Sequence, residues 1–344
     1  MPRPSRWSSA AGPVALATLV AVVAGCAGKQ STGAGLAYER VEGQKSAVWV
    51  ASADGSHARE LASEGYRPAL SPNGRWLAYE LPSRSGSFGR VRLVDLVGGG
   101  SRLLAGVDAY VWSPGSRQLA LAGRNELVVL DDSGRKHVLV RGRNVSTGSF
   151  SRDGKDLVYA VDNGRVGRAY RSDIFVVRLS DGRIRQVTRD GHSDRPTWGG
   201  GWIAYRRFHL SGGWSIGEIR LVRPDGGGDR LIARGHDDLR RAEQGIEPVQ
   251  LSAAGTRLVA CLAFEFGCAP AAFTVPAGRR VSLSFRTSPR ELSWPDSVSR
   301  DGKSILVSVD PGESNLGYHV YVVPFGGGKR RLLLNGARSP SWAR

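Results

Sequence analysis

The sequence lacks the short motifs that mark common catalytic sites. It contains no His-Glu-x-x-His pair, no phosphate-binding loop and no paired Cys-x-x-Cys. Gly213–Gly217 matches the Gly-x-Ser-x-Gly pattern of serine hydrolases, but the hydrolase serine lies on a turn from a strand to a helix. In this chain the pattern enters a β-strand of an antiparallel repeat. We therefore expect that the chain is not an enzyme and that it uses no cofactor.

Cysteine is scarce, with three residues in the whole chain. Cys26 belongs to the N-terminal segment described below. Cys261 and Cys268 lie near the two sides of one predicted hairpin, where an oxidising compartment would allow a disulfide. Two free thiols are the alternative, because the sequence alone does not fix the geometry of the pair. A bound metal is less favoured, since no second pair of Cys or His lies nearby at ligand spacing.

Lysine is also rare, so arginine supplies most of the positive charge. Lys and Arg together number 48 against 31 Asp and Glu, which gives a net charge of +17. A basic protein of this kind attracts anionic lipids, anionic cell-wall polymers or nucleic acid. No nucleic-acid-binding module is recognisable, so we expect no nucleic-acid partner.

The first residues read as an export signal. Arg3 and Arg6 precede an apolar run, Val14–Gly25, that is shorter than the roughly 20 residues a membrane-spanning helix needs. The run ends in Val-Ala-Gly-Cys, which looks like a bacterial lipobox, with Cys26 as the lipidated first residue. We expect a signal peptide at 1–25, a lipidated tether at 26–34 and a location on the extracytoplasmic side of the cell membrane. An ordinary secretory signal is the alternative.

A repeating unit begins with the stretch from Ser46 to Tyr79, which reads as four strands separated by turns. Asp54-Gly55 and Asn73-Gly74 are typical of tight hairpin turns, because glycine adopts the positive φ that these turns require. Trp76–Tyr79 begins the apolar strand that follows the second turn. The unit predicts a four-stranded antiparallel sheet.

The unit recurs along the chain at a spacing typical of β-propeller blades, which is about 40–45 residues with four strands each. Copies of the Ser-x-x-Gly turn begin at residues 71, 113, 151, 252 and 299, with a divergent copy at 199–201. Ser339–Trp342 supplies an inner strand, and Gly35–Glu39 resembles a second strand, so we expect the two ends to complete one blade. The sequence predicts an all-β, seven-bladed propeller over residues 35–344. Six or eight blades remain open if the region 199–255 is divided differently.

The blade pattern resembles that of the TolB-like propeller family. The resemblance is carried by Val48–Tyr79, Tyr110–Pro114 and Arg195–Trp198, and it extends over roughly residues 35–344. It implies a binding module of the cell envelope.

One end of the predicted propeller has tight turns and the other has longer connections, including 161–172, 206–215 and 235–246. Long loops on a rigid scaffold often carry binding residues, and these loops are basic and aromatic. Arg suits carboxylate and phosphate, while an aromatic ring suits a sugar face or an apolar side chain. The candidate binding residues are Arg165, Arg168, Tyr170, Arg171, Arg206, Arg207, Phe208, His209, Trp214, His236 and Asp237.

Two further groups of residues are expected at the same end. Carboxylate and imidazole ligands suit a divalent metal, and the weak candidates for such a site are His192, Asp194, His236 and Asp238. The starts of the inner strands place charged residues around the mouth of the channel, where mutual pairing is the expected role: Arg67, Asp108, Arg195, Glu247, Asp296 and Arg338.

Together these features predict a monomeric, membrane-anchored extracytoplasmic lipoprotein. Its propeller would bind an envelope protein or an anionic cell-wall polymer. The alternative is a propeller-type enzyme, such as a lyase, lactonase or cyclase, that acts on an anionic sugar or envelope substrate.

Overall fold

The computed structural model describes residues 33–343 except 44, 83–88, 124, 143, 167–168, 212–213, 236–244, 264–267, 284–290, 300 and 313–316; at 163, 165–166, 169–170, 210–211 and 214–216 it describes only the backbone. Within these ranges the regular elements are 28 β-strands. They form seven four-stranded antiparallel sheets. The predicted all-β propeller with seven blades is confirmed. No helix in the described ranges is long and apolar enough to cross a membrane.

Each blade runs from an inner strand at the central channel to an outer strand at the periphery. Blade 1 contains Ala337–Trp342 (β28), Leu36–Glu42 (β1), Lys45–Ala51 (β2) and Arg59–Ala62 (β3). Blade 2 contains Tyr66–Leu70 (β4), Trp76–Leu81 (β5), Arg90–Asp95 (β6) and Ser101–Leu104 (β7). Blade 3 contains Ala109–Trp112 (β8), Gln118–Ala122 (β9), Glu126–Asp131 (β10) and Lys136–Arg141 (β11).

The other four blades follow in chain order. Blade 4 contains Val145–Phe150 (β12), Asp156–Val166 (β13), Ala169–Arg178 (β14) and Ile184–Gln186 (β15). Blade 5 contains Ser193–Gly199 (β16), Trp202–Ser211 (β17), Trp214–Val222 (β18) and Arg230–Arg234 (β19). Blade 6 contains Gly245–Leu251 (β20), Arg257–Ala263 (β21), Cys268–Thr274 (β22) and Arg280–Val281 (β23). Blade 7 contains Leu292–Val298 (β24), Ser304–Asp310 (β25), His319–Pro324 (β26) and Arg331–Asn335 (β27).

The two ends of the described chain close the ring within blade 1. Strand β1 pairs on one side with β2, where Leu36 faces Ala51, and on the other with β28, where Leu36 faces Trp342. The backbone N–H of Ala343 also donates to the Gly35 carbonyl at 3.0 Å. The predicted closure is confirmed, and it removes the two free strand edges that an open ring would expose.

The hydrophobic core lies between neighbouring blades. The second strand of each blade carries a short apolar run whose side chains alternate between the two faces of the sheet, so each run packs against both adjacent blades. Between blades 3 and 4, for example, Leu127, Leu157 and Tyr159 are almost completely buried. Each blade therefore depends on its neighbours for burial of its faces.

The Ser-x-x-Gly turn is stabilised by its own side chains. In blade 2 the Gly74 N–H donates to the Ser71 carbonyl at 2.8 Å, and the Trp76 N–H donates to Ser71 Oγ at 2.9 Å. Gly74 has a φ of 70°, a backbone conformation that other residues rarely adopt. The same serine and glycine bonds recur at Ser151 and Ser299, which explains why these turns are easy to recognise in the sequence.

Side-chain hydrogen bonds link the inner strands of successive blades. At one register position a polar side chain accepts the backbone N–H of the next blade's inner strand. Ser341 Oγ accepts from Leu70 N at 3.0 Å, and Thr197 Oγ1 accepts from Leu251 N at 3.2 Å. Gln250 Oε1 makes the same bond to Val298 N at 2.9 Å. Ser297 occupies this position in blade 7, and its buried Oγ has no hydrogen-bond partner among the described residues.

Two predicted loops are strands instead. The expected loops 161–172 and 206–215 are largely formed by the ends of two long hairpins, β13–β14 and β17–β18, whose pairing continues to Val166 with Ala169 and to Ser211 with Trp214. Their mixed polar and aromatic composition suggested loops, but it also suits a two-stranded ribbon with both faces in solvent. The scaffold therefore reaches further out over blades 4 and 5 than the sequence indicated.

Candidate binding site

The central channel opens on two different faces. The turn face carries the Ser-x-x-Gly turns and the turns between the third and fourth strands of each blade. The long-loop face carries the hairpins between second and third strands and the connections between blades. Binding was predicted at the long-loop face.

A cavity of about 380 Å³ lies at the long-loop end of the channel, between blades 7, 1 and 2. It combines three carboxyl groups, two guanidinium groups and three aromatic rings. The residues that line it are Glu39, Tyr66, Arg67, Glu80, Trp294, Asp296, Ser308, Tyr318, Arg338 and Ser339. We call this set the mouth cavity.

Glu39 connects three strands at the bottom of the mouth cavity, where only 2% of its surface is exposed. Its Oε2 accepts hydrogen bonds from Ser46 Oγ at 2.8 Å and from Arg338 Nε at 2.9 Å. Its Oε1 accepts the backbone N–H of Arg67, in the next blade, at 2.7 Å. The carboxylate thus joins the closing strand β28 to blade 2, and both of its oxygens accept hydrogen bonds.

Asp296 occupies a bulge in the inner strand of blade 7. The register of β24 against β25 shifts between Pro295 and Ser297, which leaves the Ser308 N–H without a backbone partner. Asp296 Oδ2 accepts this N–H and the Ser308 hydroxyl, both at 2.8 Å. Loss of water around the carboxyl raises the pKa of Asp296 to about 8, against the lowering effect of Ser308 and with a further rise from Glu39.

Glu80 and Arg67 form the side of the mouth cavity in blade 2. Arg67 Nη1 lies 3.4 Å from Glu80 Oε1, and the Arg67 side chain is largely exposed. Burial raises the pKa of Glu80, Arg67 opposes the rise, and the nearby carboxylates of Glu39 and Asp108 add to it. The Tyr110 hydroxyl donates to the Arg67 carbonyl and fixes the backbone at this point.

Aromatic rings form the remaining wall. The rings of Trp294 and Tyr318 lie 6.3 Å apart and tilted, and the Arg338 guanidinium lies 5.0 Å from the centre of the Tyr318 ring. Tyr66 faces Glu80 across the register of blade 2. Rings of this kind bind cations and flat polar groups through their faces.

The predicted binding residues of blade 5 form an ion-pair network instead of a free basic surface. Arg206 binds both oxygens of Asp194, with Nε to Oδ1 at 2.8 Å and Nη2 to Oδ2 at 2.6 Å. It also lies 3.6 Å from Glu247, which accepts a hydrogen bond from Arg195 at 2.8 Å. Mutual pairing was expected for Arg195 and Glu247. Arg206 is thus already paired, and anion binding by this side chain is not supported.

Phe208 was expected on the binding surface, but it is buried, with 7% of its surface exposed. Side chains alternate between the two sides of strand β17, so Phe208 points inward while its neighbours point outward. Its ring stacks on His192, with the ring centres 5.7 Å apart. Arg207, its neighbour on the outer side, is half-exposed and lies 3.2 Å from Asp190. His209 is exposed.

The structure describes the remaining predicted residues in part or not at all. Arg171 is exposed near the start of β14. For Arg165, Tyr170 and Trp214 only the backbone is described, in the long hairpins of blades 4 and 5. Outside the described residues lie Cys26, Arg168, His236, Asp237 and Asp238.

The proposed metal ligands do not converge in the part of the chain that is described, where no group of three His, Cys, Asp or Glu side chains could hold a metal ion. Asp194 is bound to Arg206. His192 stacks on Phe208, and its buried Nδ1 has no hydrogen-bond partner among the described residues.

Cys261 and Cys268 form a disulfide across the β21–β22 hairpin, with Cα atoms 5.5 Å apart. Ala263 faces Cys268 in the register of this hairpin, and Cys261 faces Glu247 across the inner pair of blade 6. The bridge therefore joins the second and third strands of blade 6 near its long-loop end, and both cysteines are buried.

A larger cavity of about 730 Å³ fills the channel on the side of the turn face. Its walls are inner strands and Ser-x-x-Gly turns, and its polar groups include Ser149, Thr197 and Gln250. These three already accept hydrogen bonds from the next blade. The larger cavity is also lined by Arg152, Arg195 and Asp301. The mouth cavity is the better candidate because it brings carboxyl groups, guanidinium groups and aromatic rings together in a smaller space.

The sequence contained a signal for the mouth cavity. Glu39 and Glu80 follow the tyrosines of the equivalent stretches Leu36–Glu39 and Leu77–Glu80, so they occupy the same position in two blades. Arg206 and Ser308 occupy it in blades 5 and 7, as their pairing with the inner strands confirms. This repeat position supplies a channel-facing residue from each of these blades. Trp294, Tyr66 and Tyr318 had no comparable signal.

No protein-family model matches the sequence, and no curated protein matches it. Solved structures do match. The propeller domain of the Trilobed protease from Pyrococcus furiosus, described as having an open velcro topology, is 12% identical with a TM-score of 0.63 over 88% of this chain and 93% of that one. Oligogalacturonate lyase from Vibrio parahaemolyticus is 11% identical with a TM-score of 0.59 over 88% and 86% of the two chains. At such identities the likeness concerns the fold alone.

TolB from Acinetobacter baumannii is also among the similar structures, at 17% identity and a TM-score of 0.47 over 90% of this chain. This chain spans 66% of that protein's length. TolB proteins, whose family the blade pattern resembles, are thus among the similar solved structures. The assignment of the fold itself rests on the structures with TM-scores above 0.5.

The expectation that the chain is not an enzyme is wrong. It rested on the absence of a catalytic motif, but oligogalacturonate lyase has the same fold over 86% of its length. A propeller of this fold can therefore belong to an enzyme, and an enzyme role is possible for this chain.

Proposed function

We propose that the chain is an exported lipoprotein whose propeller receives a positively charged segment of an envelope protein in the mouth cavity. The observation that carries this proposal is the mouth cavity itself, with three carboxyl groups against two guanidinium groups and aromatic walls on the face that bears the long hairpins. A lysine, an arginine or a chain N-terminus fits this chemistry.

The acids of the mouth cavity support a cationic ligand. The pKa of Glu80 is raised by burial, and the pKa of Asp296 is raised to about 8. These acids lie in surroundings that disfavour their charged forms, in spite of Arg67 and Arg338. A cation that enters the cavity would favour the charged forms, so binding releases protons and becomes tighter as the pH rises toward 9.

The N-terminal segment supports export and anchoring. The basic residues, the apolar run and the small residues before Cys26 fit a lipobox, and two or more acyl chains anchor a protein stably. The disulfide between Cys261 and Cys268 agrees with an oxidising compartment. We place the protein on the extracytoplasmic side of the cell membrane. Replacement of Cys26 by alanine should release it from the membrane fraction.

Titration with short peptides tests the cavity directly. We expect tri-lysine to bind the protein and tri-glutamate not to bind, with an affinity for tri-lysine that increases from pH 6 to pH 9. Glu80→Gln keeps the shape of the side chain and removes its charge, and it should weaken binding about tenfold. Glu60→Gln, an exposed position in β3 remote from the cavity, is the matched control.

Crosslinking in intact cell envelopes tests the partner. A protein captured by the wild type and by Glu60→Gln, but lost in Glu80→Gln, supports the proposal. Retention of cell-wall polymer without any protein, or equal capture by all three, contradicts it.

A second candidate function is acid–base catalysis on a sugar in the same cavity. The observation that favours it is the presence of two carboxyl groups in the cavity with different surroundings: Asp296, whose pKa is raised by burial, and Glu39, which Arg338 binds. Acid–base catalysis commonly uses two carboxyl groups in different environments. Turnover of uronate oligosaccharides that is abolished by Asp296→Asn would support this function; no turnover across a panel of them would count against it.

A further inference from the structure

The described chain begins on the turn face. A side chain placed on Gly33 would lie 2.4 Å from the Gly74 carbonyl oxygen, and one placed on Gly35 would lie 2.4 Å from Ala53 N. Gly74 belongs to the inner turn of blade 2 and Ala53 to the outer turn of blade 1. The chain therefore runs between two turns of this face before it enters β1, and glycine at both positions permits the close approach.

A ring of exposed cations surrounds the same face. Each of the seven blades has at least one exposed basic residue within one position of the start of its outer strand. One such residue from each blade is Arg59, Arg102, Lys136, Arg183, Arg230, Arg280 and Arg331. Lys136 pairs with Glu126, whereas no ion pair was found for the other six among the described residues. Further exposed bases lie in the turns inside this ring, including Arg117 and Arg152. We call the seven residues the basic ring.

Apolar side chains lie beside the basic ring. Six large apolar residues in the described part of the chain are strongly exposed, from 38% to 53%, and five of them are in outer strands next to these bases: Leu103, Val138, Ile184, Leu231 and Leu332. The sixth, Val97, is in an outer turn of the turn face. Exposed apolar groups beside long basic side chains are typical of surfaces that lie on a membrane interface.

The length of the tether determines which face an anchor can hold. Cys26 and Gly33 are seven residues apart, so they are separated by at most about 25 Å. Strand β1 has seven residues and alone spans about 23 Å from one face to the other. A chain attached at Cys26 joins the propeller on the turn face, and even at full extension it barely exceeds the span of β1, so the anchor favours docking through the turn face.

We propose that the turn face is a docking surface for anionic phospholipid headgroups, which the basic ring contacts while the neighbouring apolar side chains enter the interface. The direction of docking rests on the proposed lipid anchor at Cys26. The electrostatic attraction does not depend on the anchor, because basic side chains are attracted to an anionic surface when they lie within a Debye length of it. The mouth cavity then faces away from the membrane, where an envelope partner can reach it.

The test uses residues 33–344, which include the strands that close the ring, and therefore needs neither the anchor nor the mouth cavity. Vesicles of phosphatidylcholine with and without roughly 30% phosphatidylglycerol, an anionic lipid, are the probes. We expect the propeller to cosediment with the anionic vesicles, not with the neutral ones, and to dissociate as salt is raised.

Two matched triple variants locate the surface. Arg102→Glu, Arg230→Glu and Arg331→Glu together should reduce binding to anionic vesicles more than tenfold. Lys45→Glu, Arg141→Glu and Arg189→Glu make the same charge change at exposed positions of the long-loop face and should reduce it less than threefold. Equal losses in both triples, no binding to anionic vesicles, or binding to purified anionic wall polymer in preference to vesicles would overturn the proposal. Circular dichroism and melting temperature check that both triples are folded.

Discussion

The two faces of the propeller contain the same abundant residue, arginine, in opposite electrostatic settings. On the long-loop face the guanidinium groups of Arg206, Arg195 and Arg338 lie within hydrogen-bonding distance of carboxylates. On the turn face six members of the basic ring have no ion pair among the described residues. Net charge alone does not reveal this difference, because paired and unpaired arginines contribute to it equally. Arginines of the turn face outside the basic ring, such as Arg75 and Arg178, are also ion-paired.

Paired and unpaired charges suit different roles. Paired charges hold blades in register and shape a cavity, whereas unpaired charges remain available to a large anionic surface. Changing a charge of the paired network should therefore affect stability, and changing a charge of the basic ring should affect association.

The largest effect is expected at Glu39. Glu39→Ala removes a carboxylate that is 2% exposed and leaves Arg338 without its partner and the Arg67 N–H without its acceptor. Breaking one side of a buried ion pair costs about 3–5 kcal/mol. Urea denaturation should show this loss as a lower midpoint, with the slope of the transition unchanged. A loss below about 1 kcal/mol would mean that closure of the ring does not depend on Glu39.

The disulfide is expected to contribute somewhat less. It closes a loop of eight residues, which is worth about 2.5 kcal/mol in the chain-entropy model. Cys261→Ser with Cys268→Ser should lower the free energy of unfolding by about this amount, as should reduction of the wild type. If reduction leaves the denaturation midpoint of the wild type unchanged, the thiols are not bridged in the protein.

The link between inner strands comes next in size. Ser341→Ala leaves the Leu70 N–H without its acceptor and should cost about 1–2 kcal/mol. Ser297→Ala is the matched control, because Ser297 Oγ has no partner among the described residues and its removal should be neutral or slightly stabilising. Equal costs for the two substitutions would show that the inter-blade bond is not what stabilises this position.

The two faces also differ in the behaviour of a buried acid. On the turn face, hydrogen bonds from Arg75 lower the pKa of Asp95 to about 2, whereas on the long-loop face burial raises the pKa of Asp296 to about 8. Asp95 stabilises the fold above pH 4, and this contribution of roughly 1–2 kcal/mol is lost as the pH falls toward 2. Asp296 acts in the opposite direction, since the unfolded carboxyl ionises near pH 4 and the folded one near pH 8. Stability falls as the pH rises between these values.

Melting curves from pH 3 to pH 9 separate the two acids. Asp95→Asn should reduce the melting temperature above pH 4 and have a smaller effect at pH 3. Asp296→Asn should remove part of the decline between pH 4 and pH 8. Identical pH profiles for wild type and Asp296→Asn would show that this carboxyl ionises normally.

The sequence predicted the scaffold well because the scaffold is repeated. The Ser71, Ser151 and Ser299 turns each contain their own hydrogen-bond acceptors, so local residues determine the local structure. The pairing of Arg206 with Asp194 could not be predicted in the same way. It depends on a bulge that shifts the register within β16, and a repeat pattern does not show on which side of the bulge a side chain emerges.

Burial caused the other errors. Phe208 was taken for a surface residue because its neighbours are Arg207 and His209, but alternation in a strand directs it inward against His192. The mouth cavity draws on three blades that are distant in sequence, from Glu39 to Tyr318. The acids of equivalent repeat positions could be recognised, but their convergence with Trp294 depends on the closure of the ring.

The smallest effect is expected for exposed charges, which test how far the two faces differ. Arg207 is half-exposed and lies 3.2 Å from Asp190, so Arg207→Ala should cost at most about 0.5 kcal/mol, an effect that salt reduces. Arg102→Ala, on the turn face, removes a hydrogen bond to the Gly134 carbonyl but no ion pair, so its effect on stability should not respond to salt. Partner capture distinguishes two roles for Arg207 that stability does not. If Arg207→Ala retains the partner that Glu80→Gln loses, recognition is confined to the mouth cavity, whereas loss of the partner in both extends the contact surface to blade 5 as the sequence predicted.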